Sequence, residues 1–242
     1  MSKKKDIKPF STPVAITLIV LAFLLMAAFL VFILTDDKNV EPVSEAESSI
    51  PEETSEIISS GEHKETMAEA EVGDRVAFGE YKGEKVEWIV LEKTETDILL
   101  VSEKVLDCKK YNDTRAETDY ASSTLKEFLN GEFLNECFTD SELASLTETE
   151  NGKVFPLSKD EAEKLFASDA YRACAPTDNA LKNGVRKENE NSFWWLRDSG
   201  KQNFFALYVD VRGAIRDGFA VDCDNVGVRP AIKVSAKTEI AE

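Results

Sequence analysis

The pattern of apolar and polar positions divides the chain into three stretches. Residues 13–34 read PVAITLIVLAFLLMAAFLVFIL, with no charge and Thr17 as the single hydroxyl. At about 1.5 Å of rise per residue, a helix of this length spans the ~30 Å hydrocarbon core of a bilayer. The run is apolar on every face, so it does not fit a helix that buries one stripe. A cleaved secretory leader has an apolar region of roughly 7–15 residues ending at small side chains. This run is longer and ends in Phe32, Ile33 and Leu34. The pattern predicts an uncleaved transmembrane helix over residues 13–35, leaving residues 1–12 as a short terminus on one side of the membrane. Residues 36–72 then lose periodicity. They are rich in Glu and Ser, lack aromatics and carry Pro42 and Pro51. Such a segment buries too little apolar surface to offset the entropy of ordering, which predicts a disordered linker.

From residue 73 the periodicity returns. Residues 75–78 alternate as a short strand, and residues 86–91 and 98–102 are β-branched apolar runs around a polar turn, a β-hairpin pattern. Helical spacing follows. Ser123 caps an amphipathic turn that Asn130-Gly131 is expected to stop, and Phe133, Leu134, Cys137 and Phe138 continue on one face. Thr139 to Glu142 looks like a second helix start, residues 154–157 read as extended, and Ser158 with Glu161 forms a capping-box pattern. Strands resume at 193–196, 204–211 and 226–234, punctuated by Gly213, Gly218 and Gly227. Strands, then helices, then strands predict an α+β domain over residues 73–236, with residues 237–242 as a tail.

Charge orients the chain and removes one class of partner. The 242 residues carry 46 acidic and 29 basic side chains, a formal net charge of -17. Lys3, Lys4, Lys5 and Lys8 precede the apolar run, while Asp36 and Asp37 follow it. A Lys/Arg excess marks the cytoplasmic side, so the domain is expected outside the cell, at the cell membrane. The acidic domain lacks the clustered cations that neutralise phosphate, which excludes nucleic acid as a partner. The expected partners are the lipid bilayer, through residues 13–35, and a surface glycan or protein. His63 is the only histidine and lies in the linker. A Ser-His-Asp triad and a His-based metal site are therefore unavailable to the domain.

Several segments, taken in order, resemble one bacterial family. Residues 124–143, TLKEFLNGEFLNECFTDSEL, look like its helix. The other segments are Gly73-Asp74 through Tyr81, Glu87-Trp88 to Leu91, Leu106-Asp107-Cys108 with Tyr111-Asn112, Cys174 with Pro176-Thr177, Trp194-Trp195-Leu196-Arg197, and Val228-Arg229-Pro230-Ala231. The family is domain of unknown function 6273, and the likeness covers nearly all of residues 73–234. The chain departs from the family pattern at Asp198-Ser199-Gly200, where the family has Ser-Pro-Gly, and at Phe128, where it has Trp. No established activity is implied. WWLR followed by strands and VRPA also resembles the C-type-lectin-like fold shared by sugar-binding modules and formylglycine-generating enzymes. That fold implies that the first and last strands pair.

Candidate chemistry is sparse. Cys108, Cys137, Cys174 and Cys223 form no CxxC pair. Cys137 is expected as a buried thiol. Outside the membrane an even count admits disulfides, and Cys108–Cys174 is one possible pair among three connectivities. Asp210, Asp217, Asp222, Asp224 and Asn225 cluster in glycine-punctuated loops. Asp222, Asp224 and Asn225 are candidate calcium ligands, against the plainer reading of solvated turns. Adjacent residues of a strand face opposite sides, so one of Trp194 and Trp195 is expected outside the core unless both faces are covered. With Arg197 and Tyr208 the outward tryptophan would form a platform for stacking a sugar or peptide. Arg197 and Arg229 alternatively serve as ion-pair partners of acids such as Asp74 or Asp222. The leading expectation is a membrane-anchored binding module. An extracytoplasmic enzyme, formylglycine-generating-like or a carboxylate-based hydrolase, and a structural or sensor ectodomain are the alternatives.

Overall fold

The computed structural model describes residues 67–238. The transmembrane and linker assignments over residues 13–66 lie outside the described residues. Among the described residues no helix is long and apolar enough to cross a membrane.

The domain is α+β, built on two five-stranded sheets. Sheet I is ordered β1 (Arg75–Tyr81), β2 (Glu84–Lys93), β3 (Asp97–Ser102), β12 (Ala231–Ser235), β5 (Val154–Phe155). The predicted hairpin is present: β2 pairs β3 antiparallel, with Ile89 opposite Val101. Sheet II is ordered β10 (Ile215–Ala220), β9 (Phe205–Val209), β8 (Trp194–Ser199), β11 (Gly227–Val228), β4 (Asp107–Cys108). All its pairs are antiparallel except β11 with β8. A small hairpin, β6 (Lys187–Glu188) with β7 (Asn191–Ser192), precedes β8.

Two of the crossovers between the sheets run side by side. The chain leaves sheet I after Ser102 to reach β4, and returns from β11 to β12 through Arg229-Pro230. The Ser102 N–H donates to the Pro230 carbonyl at 2.9 Å and the Leu106 N–H to the Val228 carbonyl at 2.9 Å. The single strand expected over residues 226–234 is therefore two strands in different sheets. Proline has no N–H to extend a ladder, and the chain changes sheet there.

The helices fill the middle of the chain: α1 (Thr124–Phe128), α2 (Leu134–Cys137), α3 (Asp140–Ser145), α4 (Lys159–Leu165), α5 (Asp169–Arg172) and α6 (Asp178–Lys182). The predicted capping box forms at Ser158 with Glu161 on α4, and the predicted helix start at Thr139 carries a second box, with Glu142, on α3. The expected stop at Asn130-Gly131 does not occur. The helix passes from α1 through a π-helical stretch, Leu129–Phe133, into α2. Asn130 is used laterally instead. Its carbonyl accepts from the Lys153 N–H at 2.8 Å and its amide donates to the Val154 carbonyl at 2.9 Å, tying the helix to β5.

The folded region also begins earlier and ends later than the composition break suggested. Met67 and Ala70 are fully buried, Thr238 is buried, and the Met67 N–H donates to the Thr238 carbonyl at 2.9 Å. Residues 67–72 thus belong to the domain. The first and last strands do not pair: β12 lies between β3 and β5, while β1 sits at the sheet edge beside β2. The ends of the described chain meet through residues flanking those strands.

Candidate binding site

Trp194 and Trp195 are both fully buried, which corrects the expectation that one faces out. They do point to opposite faces of β8, as a strand requires, but both faces are covered. On one face the Trp194 indole N–H donates to the Arg172 carbonyl at 3.1 Å, and the Arg229 guanidinium lies 5.0 Å from its ring. On the other, the Trp195 N–H donates to the Lys109 carbonyl at 2.9 Å and Tyr111 packs edge-on at 5.7 Å. Whether a neighbouring segment covers a face is a long-range fact that strand alternation does not contain. The tryptophans anchor the core and are removed from the platform.

Arg197 is also committed to structure. It pairs with Glu161 of α4 through two hydrogen bonds, at 2.5 and 3.0 Å, and donates to the Pro156 carbonyl at 3.1 Å. The expected ion pair is real, but the partner is neither Asp74 nor Asp222. Burial alone would push the Glu161 pKa up; the Arg197 guanidinium and the capping hydrogen bonds from Ser158 outweigh it and hold it below the usual carboxylate value. Arg229 is different. It is 2 % exposed and, among the described residues, has no carboxylate within ion-pair distance. Its guanidinium donates to the carbonyls of Ser102 at 2.9 Å and Arg172 at 3.2 Å, between the rings of Trp194 and Phe166. This pins the two crossovers together, with the charge spread over carbonyl dipoles and π-faces.

Of the four proposed residues Tyr208 and Arg197 are partly exposed, and Arg197 is already held by Glu161. The Tyr208 ring lies 4.1 Å from Phe219 of β10 and 6.1 Å from Phe193. These rings continue the row that starts with Tyr111 and Trp195, since Trp195 packs 6.2 Å from Phe219. The row is sealed at the Tyr111 end and open at the other, where Tyr208 and Phe219 are half-buried. Arg186 lies 4.9 Å over the Phe193 ring, and Arg216, opposite Tyr208 across the β9–β10 ladder, pairs with Asp210 at 2.9 Å. Burial, then the charge of Asp210, raises the Tyr208 pKa, so its hydroxyl stays protonated and able to donate. Phe219 was missed because β10 carries Arg216, Asp217 and Gly218 in its centre, which break the apolar alternation that marks a strand.

The loop carboxylates are used locally. Asp222 pairs with Arg115 at 3.0 Å, and Asp210 accepts from the Arg212 and Ala214 N–H groups as well as from Arg216. Asp217 accepts from the Lys201 N–H at 2.8 Å. Asp224 and Asn225 contribute backbone carbonyls, to the Cys108 thiol at 3.3 Å and the Arg186 N–H at 2.8 Å. Among the described residues no group of three or more His, Cys, Asp or Glu side chains is placed to hold a metal ion.

All four cysteines are free thiols, so Cys108 and Cys174 are not joined. They point to different places: the Cys108 thiol to the Asp224 and Val226 carbonyls, the Cys174 thiol to the Glu103 carbonyl. Cys137 is buried, as its helix face implied. Burial raises the Cys108 pKa to about 12 and also raises those of Cys137, Cys174 and Cys223.

Residues 95–236 match the family model described as Domain of unknown function (DUF6273), and the chain belongs to that family. Strands β1 and β2 precede the matched stretch. No curated protein and no solved structure matches the chain.

Proposed function

We propose that this chain is a membrane-anchored extracytoplasmic binding module, and that its ligand is a surface glycan held on the open end of the aromatic row. The observation that carries the reading is the partly exposed Tyr208–Phe219 pair with Arg186 and Arg216 beside it. A sugar ring stacks its apolar C–H face on such rings, while guanidinium and phenol groups donate to its oxygens. Anchoring at the cell membrane with the domain outside rests on the apolar run at residues 13–34 and the lysines before it. The C-type-lectin-like kinship belongs to the same proposal. It is supported by the meeting of the chain ends at Met67 and Thr238 and opposed by the separation of β1 from β12.

Binding is favoured over the enzyme alternatives by the direction of the displaced pKa values. Asp97, Asp119, Glu161 and Asp210 are all lowered, the opposite of a general acid kept protonated near neutrality. The thiols are raised, which weakens them as nucleophiles. The test is glycan-array binding by the full-length chain in detergent. Tyr208→Ala and Phe219→Ala are expected to remove binding while the thermal midpoint stays within a few degrees. Equal binding by the wild type and both variants sinks the assignment of the site.

A further inference from the structure

A second surface feature lies on the opposite sheet, at the place where β3 leaves β2. We propose that this cleft takes the end of a short extended peptide, added as a strand to the free edge of β2.

Two independent geometric markers fix which backbone groups face the cleft. Lys82 and Gly83 both have positive φ, 55° and 83°, which defines a type I′ turn between β1 and β2. In a two-residue hairpin of that type the flanking residues, Tyr81 and Glu84, exchange hydrogen bonds. The peptide groups of Glu84 therefore face β1, and those of Lys85, one residue on, face away from it. From the other end, the Glu103 N–H donates to the Glu87 carbonyl at 2.8 Å. Glu87 thus faces the β3 side and, by the two-residue alternation, so does Lys85. The β2–β3 ladder, however, starts only at Trp88 opposite Ser102. Beyond Ser102 the chain swings away to β4 in sheet II. The N–H and C=O of Lys85 consequently point into the wedge that β3 has vacated, with no strand across from them among the described residues.

The wedge is a small cleft of about 80 Å3, open to solvent on one side. Its floor is apolar and rigid: Val86 and Leu106 are buried, and so is Tyr81. Beneath them the buried Asp107 carboxylate accepts from the Tyr81 hydroxyl at 2.6 Å, the Asn183 amide at 2.6 Å and the Cys108 N–H at 2.7 Å. The far wall is held in place by Thr177 and Asn179, whose side chains both donate to the Leu106 carbonyl, at 3.1 and 3.0 Å. At the mouth stand Glu84, Lys85, Glu87 and Lys104, all exposed and, among the described residues, without an ion pair, whereas Glu103 is engaged by Arg75.

These features select the occupant. An unpaired N–H and C=O on one strand edge call for another backbone in extended form, the recognition mode in which main-chain hydrogen bonds supply affinity. The wedge is closed at the Glu87–Glu103 contact, so it admits the end of a chain and not a through-running strand. Free carboxylates and ammonium groups at the rim match a terminus that carries its own charge. The apolar floor takes one side chain. The chemistry is that of a free-ended peptide of two or three residues, and it is independent of the glycan face on sheet II.

The experiment uses isotope-labelled full-length chain in detergent. It is titrated with a mixture of Ala-X-Ala tripeptides with free termini, X running over the twenty residues. The expected result is a saturable shift of the Lys85 amide resonance with slowed hydrogen exchange there. Lys85→Pro removes the N–H that faces the cleft while leaving the β1 ladder intact, and is expected to weaken binding by about tenfold. Against the wild type, the same peptides N-methylated at the central residue are expected to lose a similar factor, a control that does not depend on the variant folding. The proposal is overturned by the lack of a saturable shift at Lys85. It is equally overturned by N-methylated peptides that bind the wild type as well as the unmodified ones.

Discussion

The first strand of sheet I and the first strand in the order of sheet II are both edges, and they are finished in opposite ways. β1 is closed. A bulge between Ala77 and Glu80 turns the strand, and the Gly79 N–H donates to the Glu142 carboxylate of α3 at 3.0 Å. A Cβ on Gly79 would sit 2.8 Å from the Cys137 carbonyl oxygen and from the Phe138 ring, so helix and edge are in tight contact. One N–H that would recruit a foreign strand is taken by a side chain, and α2 and α3 pack against the bulge. β10 is guarded differently, by Arg216 and Asp217, which are exposed on its centre. Charges deter edge pairing, yet they leave the adjoining ring face of Tyr208 and Phe219 half open. One edge has been spent on stability; the other leaves aromatic surface for a ligand.

That contrast is sharpest along the aromatic row, and truncations at its two ends separate them. Trp194→Ala and Trp195→Ala are each expected to cost about 3–5 kcal/mol in urea denaturation, as large core truncations do. A loss below about 1 kcal/mol at Trp195 would mean that the row is not anchored where the burial places it, and at Trp194 that the opposite face of β8 is not packed as its burial implies.

Gly79→Ala tests the closed edge. With φ at 76° and backbone 2.8 Å away, the substitution is strained both by conformation and by contact. A loss of about 2–3 kcal/mol is expected, together with faster hydrogen exchange in β1. Unchanged exchange would show that the α2–α3 turn is not what holds this edge.

Acid titration probes the Arg197–Glu161 pair, which ties α4 to β8. The folded-state pKa of Glu161 is lowered, so the stability it contributes is fully present above the unfolded-state value near ~4.3. It is lost as pH falls through the lowered folded value. Glu161→Gln is expected to lower the thermal midpoint at neutral pH and to flatten its decline over that acid window. A variant whose midpoint declines as steeply as the wild type below pH ~4 would remove Glu161 from the account.

The smallest effect on stability belongs to the open end. Tyr208→Ala is expected to cost about 1–2 kcal/mol, less than the buried tryptophans, because part of the ring is already in water. A loss as large as that of Trp195→Ala would assign Tyr208 to the core and close the contact surface.

Much of the architecture was readable from local signals. The Ser158 capping box, the helix start at Thr139, the β2–β3 hairpin and the α+β class follow from hydroxyl–Glu spacing and apolar alternation, which act within a few residues. The misses share a different cause. Asn130 looked like a helix stop because its partners, Lys153 and Val154, lie far along the chain. Residues 226–234 looked like one strand because nothing local says that Pro230 marks a change of sheet. In the candidate site only Tyr208 was found from the sequence. Phe219 sits on a strand whose exposed centre is charged, and Arg186 precedes a two-residue strand too short to carry a pattern.

By itself the sequence determined the apolar run at residues 13–34, the acidic balance of the chain, the membership suggested by the ordered segments, and the opposite facing of Trp194 and Trp195. Each depends on composition or on the fixed period of a backbone. Only the tertiary structure decided which faces are wet. It put Tyr111 and Lys109 over Trp195, placed Arg229 in a cage of carbonyls and rings where, among the described residues, no acid pairs with it, and left Tyr208 partly exposed. It also turned β3 away from β2 at Ser102, opening the wedge beside Lys85. Coverage of a face depends on segments distant in sequence, and the periodicity of a single strand carries no information about them.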